Sequence, residues 1–256
     1  MIEIKDLCFS YQNRKKAKER KEIVHNLNLT VKDNEFLCLL GPSGCGKSTI
    51  LKIIAGFEKA EKGVILDNGE EINDVSYERA MVFQEDAVFP WMRVYQNVEY
   101  GLKARGIEKA ERDEIANHFI SLVGLSGVEN QYPKELSGGM KKRVDLARVL
   151  SNNPRIMLMD EPFGALDAMT KEKLQEQLLQ IWEKTKKTII FVTHDIEEAI
   201  FLGDRVAIMQ PISFGGELHV YDIPFERPRS LAIKENPQFQ KMRRQMIDEL
   251  KEYESF

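Results

Sequence analysis

A glycine-rich octapeptide and a pair of acids carry the densest chemistry in this chain. Gly41-Pro42-Ser43-Gly44-Cys45-Gly46-Lys47-Ser48 follows the apolar run Phe36-Leu37-Cys38-Leu39-Leu40. Gly41, Gly44 and Gly46 let successive backbone N–H groups turn toward phosphate oxygens. Lys47 can neutralise the outer phosphates of a nucleotide, Ser48 offers a hydroxyl to Mg²⁺, and Thr49 can bond a phosphate one position on. Asp160 and Glu161 end a second apolar run, Ile156-Met157-Leu158-Met159. Asp160 is placed to hold Mg²⁺, directly or through water, and Glu161 to orient and polarise an attacking water. Solvated strand-end carboxylates would look the same; the phosphate loop upstream favours the chemical reading.

Three other clusters are less specific. Thr193-His194-Asp195 follows the apolar run at 188–192. A lone His is more often structural, but this one is expected at a strand end beside the acidic pair, where it could hold a γ-phosphate and the water together. Gln84, in Val82-Phe83-Gln84-Glu85-Asp86, can reach Mg²⁺ or its water from a hinge, or can be a surface glutamine. Ser137-Gly138-Gly139-Met140 reads as a helix start with Ser137 as cap. Its glycines allow backbone to approach an anion. Because the octapeptide already cradles one set of phosphates, this second cradle requires another ligand.

The elements that must position these residues follow from periodicity. Ile2–Ile4, Leu7–Tyr11 and Ile23–Val31 alternate like strands of an antiparallel hairpin with a charged tip at Arg14–Glu22. Phe36–Leu40 is apolar throughout, as in a strand buried on both faces. Helical spacing covers Ser48–Phe57, Val94–Leu102 and Lys109–Val123, with Gly124 as a stop, and a helix runs from Ser137 to Leu150. Strands at 156–159, 188–192 and 206–209 then alternate with helices at 171–184 and 196–201. After Pro224, Phe239, Met242, Met246, Leu250 and Tyr253 fall on one face of an amphipathic helix. An α/β fold is expected, with a mainly parallel sheet and a helical insertion.

Composition narrows the class. A net charge of −4 gives no global attraction to nucleic acid, and the basic run Arg14–Lys21 reads as a solvated hairpin tip. Cys8, Cys38 and Cys45 form no disulfide framework, so a reduced, cytosolic protein is expected. No secretory signal is expected at the N-terminus. No uncharged stretch reaches the roughly 18–20 apolar residues of a membrane helix, so a membrane role must be peripheral.

The order of phosphate loop, Leu136-Ser137-Gly138-Gly139-Met140, Asp160-Glu161 and His194 resembles the ATP-binding-cassette (ABC) ATPases over about residues 1–225. The resemblance implies a P-loop NTPase, RecA-like core at 1–85 and 151–225. It adds an N-terminal antiparallel β subdomain, an α-helical insertion at 86–150, and a tail at 226–256. It implies ATP with Mg²⁺, Glu161 and His194 as catalytic residues, and an aromatic, Tyr11, stacked on adenine. In that family two subunits pair head to tail, so Ser137–Met140 would cap a partner's γ-phosphate, and Ala165-Leu166-Asp167 matches the segment crossing the dimer interface. The second subunit would be another copy or a related ATPase.

Phe89-Pro90-Trp91-Met92 and Pro224-Phe225-Glu226-Arg227-Pro228-Arg229 resemble the nitrate/sulfonate/taurine/bicarbonate importer group. The partners implied are an integral membrane permease, faced by Trp91, and an external solute-binding protein. No nucleic acid is implied, and the location would be peripheral, on the cytoplasmic face of the membrane. Lys142 and Asp145 stand where the family usually has Gln and Ala; Lys141 and Asp145 could pair at i,i+4. Met140 replaces a common Gln, and the charged hairpin tip is longer than usual. The competing reading is a soluble ABC ATPase acting on nucleic acid or a protein assembly, with Arg14–Lys21 in its favour.

Overall fold

Residues 1–12, 20–85, 87–164 and 166–254 are described by a computed structural model. Most of the expected charged tip (13–19), together with Asp86 and Ala165, lies outside the described residues. The alternating N-terminal segments are β1 (Ile2–Gln12) and β2 (Arg20–Val31), paired antiparallel. Ile4 and Leu7 are both buried although three apart, because the register shifts between them and Asp6 sits at φ 51. Such a bulge flips the in–out alternation by one residue. The sheet is completed by β4 (Lys62–Asp67) and β5 (Glu70–Glu71), in the order β2-β1-β4-β5.

The second sheet holds β3 (Phe36–Leu40), β6 (Arg79–Val82), β7 (Ile156–Asp160), β8 (Thr188–Val192), β9 (Arg205–Met209) and β10 (Leu218–Asp222). Its order is β10-β9-β3-β8-β7-β6, parallel throughout except at the edge strand β10. Every residue of β3, β7 and β8 is buried, as expected of strands covered on both faces. Helix α1 (Lys47–Ala55) follows β3 and ends at Gly56, whose φ of 84 is the left-handed cap glycine favours.

Between the neighbouring strands β6 and β7 the chain leaves the sheet for α2 (Val94–Ala104), α3 (Lys109–Leu122) and α4 (Gly138–Ser151). Ser137 caps α4 by accepting a hydrogen bond from the Met140 N–H at 3.3 Å. Helix α5 (Ala168–Thr185) starts three residues before the expected Lys171, because Asp167 caps it through the Thr170 N–H. Helix α6 (Ile196–Leu202) is capped in the same way by Asp195.

The tail forms α7 (Pro237–Glu254), which packs on α6. Phe239 and Met246 are fully buried, Tyr253 nearly so, and Met242 and Leu250 pack at the margin, so one face docks as its spacing predicts. Arg243 pairs with Glu197 at 2.7 Å, and the Gln210 amide donates to the Tyr253 hydroxyl at 2.9 Å. If the tail shares the main core, Phe239→Ala should lower the global unfolding free energy by about 3 kcal/mol in chemical denaturation. A loosely attached helix would leave the main transition unmoved.

Candidate functional site

The parallel pairing brings four strand ends to one edge. Val192 lies beside Leu39 of β3 on one side and Asp160 of β7 on the other, and Met159 of β7 lies beside Val82 of β6. The segments beginning at Gly41, Thr193, Glu161 and Phe83 therefore emerge together. Backbone bonds hold two of them: the Glu161 N–H donates to the Val192 carbonyl at 3.0 Å, and the Thr193 N–H to the Leu39 carbonyl at 3.2 Å.

A cleft of about 610 Å³ opens over this edge. Ser43, Gly44 and Gly46–Thr49 form its floor, Gln84, Glu161 and His194 one wall, and Tyr11 and Ile23 another. Gly46 caps α1 at φ 107, where a Cβ would sit 3.0 Å from the Ile23 carbonyl, so the turn requires glycine. Lys47 is buried and donates to the Gly41 and Pro42 carbonyls at 2.7 and 2.8 Å. Gly41, Pro42 and Cys45 shape the loop from behind; burial pushes the Cys45 thiol up, against the nearby Lys47 charge. Tyr11 stands edge-on to Phe9 and accepts from the Thr49 hydroxyl at 3.5 Å.

The acidic pair divides between two environments. Asp160 is buried and accepts from the Ser48 hydroxyl at 2.8 Å. Burial raises its pKa, opposed by the Ser48 hydrogen bond and reinforced by the Glu161 charge. Glu161 turns out of the strand at φ 42, a left-handed conformation uncommon for a residue with a side chain and typical of functional positions. Its Oε2 accepts from the Gln84 amide at 3.2 Å and meets His194 Nδ1 at 3.1 Å. Glutamine and histidine from two neighbouring strand ends thus converge on one oxygen of the glutamate that ends a third.

Ser137–Met140 do not line this cleft; Ser137 and Gly138 are exposed at the start of α4. Leu166 and Asp167 lie at the start of α5, with Asp167 exposed. The two departures on α4 turn inward instead. Lys142 is buried and donates to the carbonyls of Phe83 and Gln84 at 3.1 and 2.7 Å. Asp145, also buried, pairs with Arg148, whose guanidinium donates to the Ala87 carbonyl at 2.7 Å. The helix that carries the Ser-Gly-Gly turn therefore grips the Gln84 segment on both sides. Sequence reasoning located Gln84 but missed this grip, because nothing local to Lys142 names a partner 58 residues away.

The family model described as "ABC transporter" matches residues 24–164. The nitrate import ATP-binding protein of Synechococcus elongatus is 42% identical over 230 residues, covering 88% of this chain and 83% of that relative. The taurine import ATP-binding protein of Escherichia coli O157:H7 is 43% identical over 232 residues, covering 89% and 91%. Among solved structures, a dimeric ATP-binding cassette in a post-hydrolysis state with ADP and phosphate superposes with a TM-score of 0.77 at 31% identity, covering 88% of this chain and all of that one. With a P-loop, an acidic strand end and a histidine gathered on one sheet edge, the chain belongs to the ABC transporter family, as one of its nucleotide-binding, ATP-hydrolysing members.

Proposed function

We propose that this chain is the energy-coupling subunit of an importer for a small anion of the nitrate, sulfonate or taurine kind. The convergence of Gln84, Glu161 and His194 above the phosphate loop carries the hydrolytic part of this reading; the likeness to nitrate and taurine import ATP-binding proteins supports the importer part. Lys47 would exchange the loop carbonyls for the outer phosphates of ATP, and Tyr11 would stack on adenine. Glu161 would accept a hydrogen bond from the attacking water and align it with the γ-phosphorus. As the water oxygen bonds to phosphorus, the bond to the bridging oxygen breaks, giving ADP and phosphate. His194 would stabilise charge on the transferring group. Ser48 and Asp160 are hard oxygen donors already in contact, with the Gln84 amide on the neighbouring wall, a set that suits Mg²⁺. When bound, Mg²⁺ would neutralise charge on the phosphates.

Exposure of Ser137 and Gly138 away from the chain's own cleft supports head-to-tail pairing with a second copy, each turn capping the other's γ-phosphate. Trp91 is 70% exposed, and Tyr77 and Tyr100 are exposed nearby, at the rim of a groove that Phe89 lines between β6 and the helical insertion. Exposed aromatics around an apolar groove suit a protein partner, and the permease is the partner this reading supplies. No described helix is long and apolar enough to cross a membrane, so attachment at the cytoplasmic face would run through that permease. An external binding protein would deliver the solute.

Three outcomes test these roles. Glu161→Gln should lower kcat for ATP hydrolysis at least about 100-fold while ATP binding, measured by calorimetry, is retained; persistent steady-state turnover would remove Glu161 from its role. Trp91→Ser should lose the integral membrane partner on pull-down from detergent-solubilised membranes, with an unchanged thermal midpoint. Recovery of nucleic acid in place of a membrane partner by the unmodified chain would favour the soluble-ATPase reading. Asp160→Asn should abolish turnover yet raise the thermal midpoint of the nucleotide-free protein at pH 7. A carboxyl whose pKa is raised on folding costs nothing below its unfolded value, because both states are protonated, and costs most above its folded value. The gain should therefore vanish toward pH about 4, as read by thermal melts across pH.

A further inference from the structure

His194 is an exposed member of the catalytic wall, yet both of its neighbours are fastened from below. The Thr193 hydroxyl hydrogen-bonds to Glu198 Oε2 and accepts the Asp195 N–H at 3.0 Å. Asp195 Oδ1 accepts the Glu198 N–H at 3.2 Å. Into this knot reaches Lys171, one turn into α5: its Nζ lies 2.8 Å from Asp195 Oδ2 and 3.4 Å from Glu198 Oε1. The Gln175 amide completes the set by donating to Glu198 Oε1 at 2.9 Å. Thr193, Gln175 and Glu198 are all buried. Burial draws the Lys171 ammonium down, but the charges of Glu198 and Asp195 outweigh it and hold it above the ordinary lysine value. Lys171 is thus the cation that compensates a buried carboxylate directly beneath the His194 loop.

The other end of the same helix turn touches the Ser-Gly-Gly turn. A Cβ on Gly139 would meet Thr170 Cγ2 at 2.9 Å and Leu166 Cδ2 at 3.9 Å, so the start of α4 lies against the first turn of α5. An unbroken set of contacts therefore runs from Gly139 to Thr170, to Lys171, to the 193–195 segment, and through His194 to Glu161.

We propose that Lys171 is a positioning residue for His194, holding the loop that presents the imidazole to Glu161 and linking that loop to the Ser-Gly-Gly turn. The inference rests on the hydrolytic role given to His194 above. A contact at the exposed turn that shifts the first turn of α5 is passed to the chain's own hydrolytic centre through the ion pairs of Lys171 with Asp195 and Glu198. Such a tie would make hydrolysis at one nucleotide sensitive to the cradle that engages the other.

The test compares Lys171→Met, Lys171→Arg, His194→Ala and the Lys171→Met/His194→Ala double variant for ATP affinity and steady-state turnover. Lys171→Met should lower kcat about tenfold or more, since small misplacements of catalytic groups are costly, with ATP affinity changed less than about twofold. Lys171→Arg, which keeps the charge, should restore most of the rate. The double variant should turn over no more slowly than His194→Ala alone, because the two residues act as one unit. Wild-type turnover in Lys171→Met, or multiplying losses in the double variant, would overturn the inference. If Lys171→Met does not fold because Glu198 is left unpaired, Lys171→Met/Glu198→Gln removes both charges; wild-type kcat there would overturn it equally. Retained turnover in His194→Ala would instead sink the role of His194 itself.

Discussion

The parallel register of β3, β8, β7 and β6 is the constraint on which the site depends. Gly41 and Glu161 come directly after their strands, and Gln84 and His194 two residues after theirs. Advancing one strand by a single residue would move its functional side chain by about 3.3 Å and reverse the faces of the strand. Burial of β3, β7 and β8 on both faces makes such a slip costly, because it would draw Lys187, Glu161 or the glycine-rich turn into the sheet. Packing far from the nucleotide thus sets the distance between Glu161 and His194. The local backbone contributes the last adjustment: the left-handed turn at Glu161 brings its carboxylate to Gln84 and His194.

The two unusual residues of α4 show how charge is accommodated on a buried helix face. Lys142 and Asp145 would be poor choices for a buried helix face if left alone, since an unpaired buried charge is strongly destabilising. Here Lys142 is met by two carbonyls of a non-repetitive segment, and Asp145 by Arg148. Each charge has a partner, so the departures from the family pattern are built into the packing.

Much of this was legible in the sequence, and the reasons differ by element. The phosphate loop was readable because its chemistry is local: glycines, Lys47 and Ser48 lie within eight residues of an apolar strand. Asp160, Glu161 and His194 were readable because each ends an apolar run. Strands β4, β5 and β10 were not, since they carry Lys62, Glu70, Glu71 and Asp222 and are half exposed, which erases the alternation. β6 was hidden by its length of four residues and by the charged Arg79 that opens it. The early start of α5 lay in a single capping aspartate. The networks around Lys142 and Lys171 could not be read at all, because their partners are set by tertiary packing rather than by spacing. The hairpin tip that carried the nucleic-acid alternative falls largely outside the described residues.

The grip of Lys142 and Arg148 on the segment from Phe83 to Ala87 has a thermodynamic corollary. A helix with its capped N-terminus exposed and its middle fastened to a wall of the cleft cannot rotate without displacing that wall. The aromatic groove is lined by Phe83, Ala87 and Arg148 as well, so an occupant of the groove would press on the same segment. Linkage is reciprocal: whatever factor nucleotide binding applies to the affinity of the groove, occupancy of the groove must return to the nucleotide. Occupancy of the groove and retention of ATP would then share a single coupling free energy, passed through the contacts of Lys142 and Arg148 with that segment.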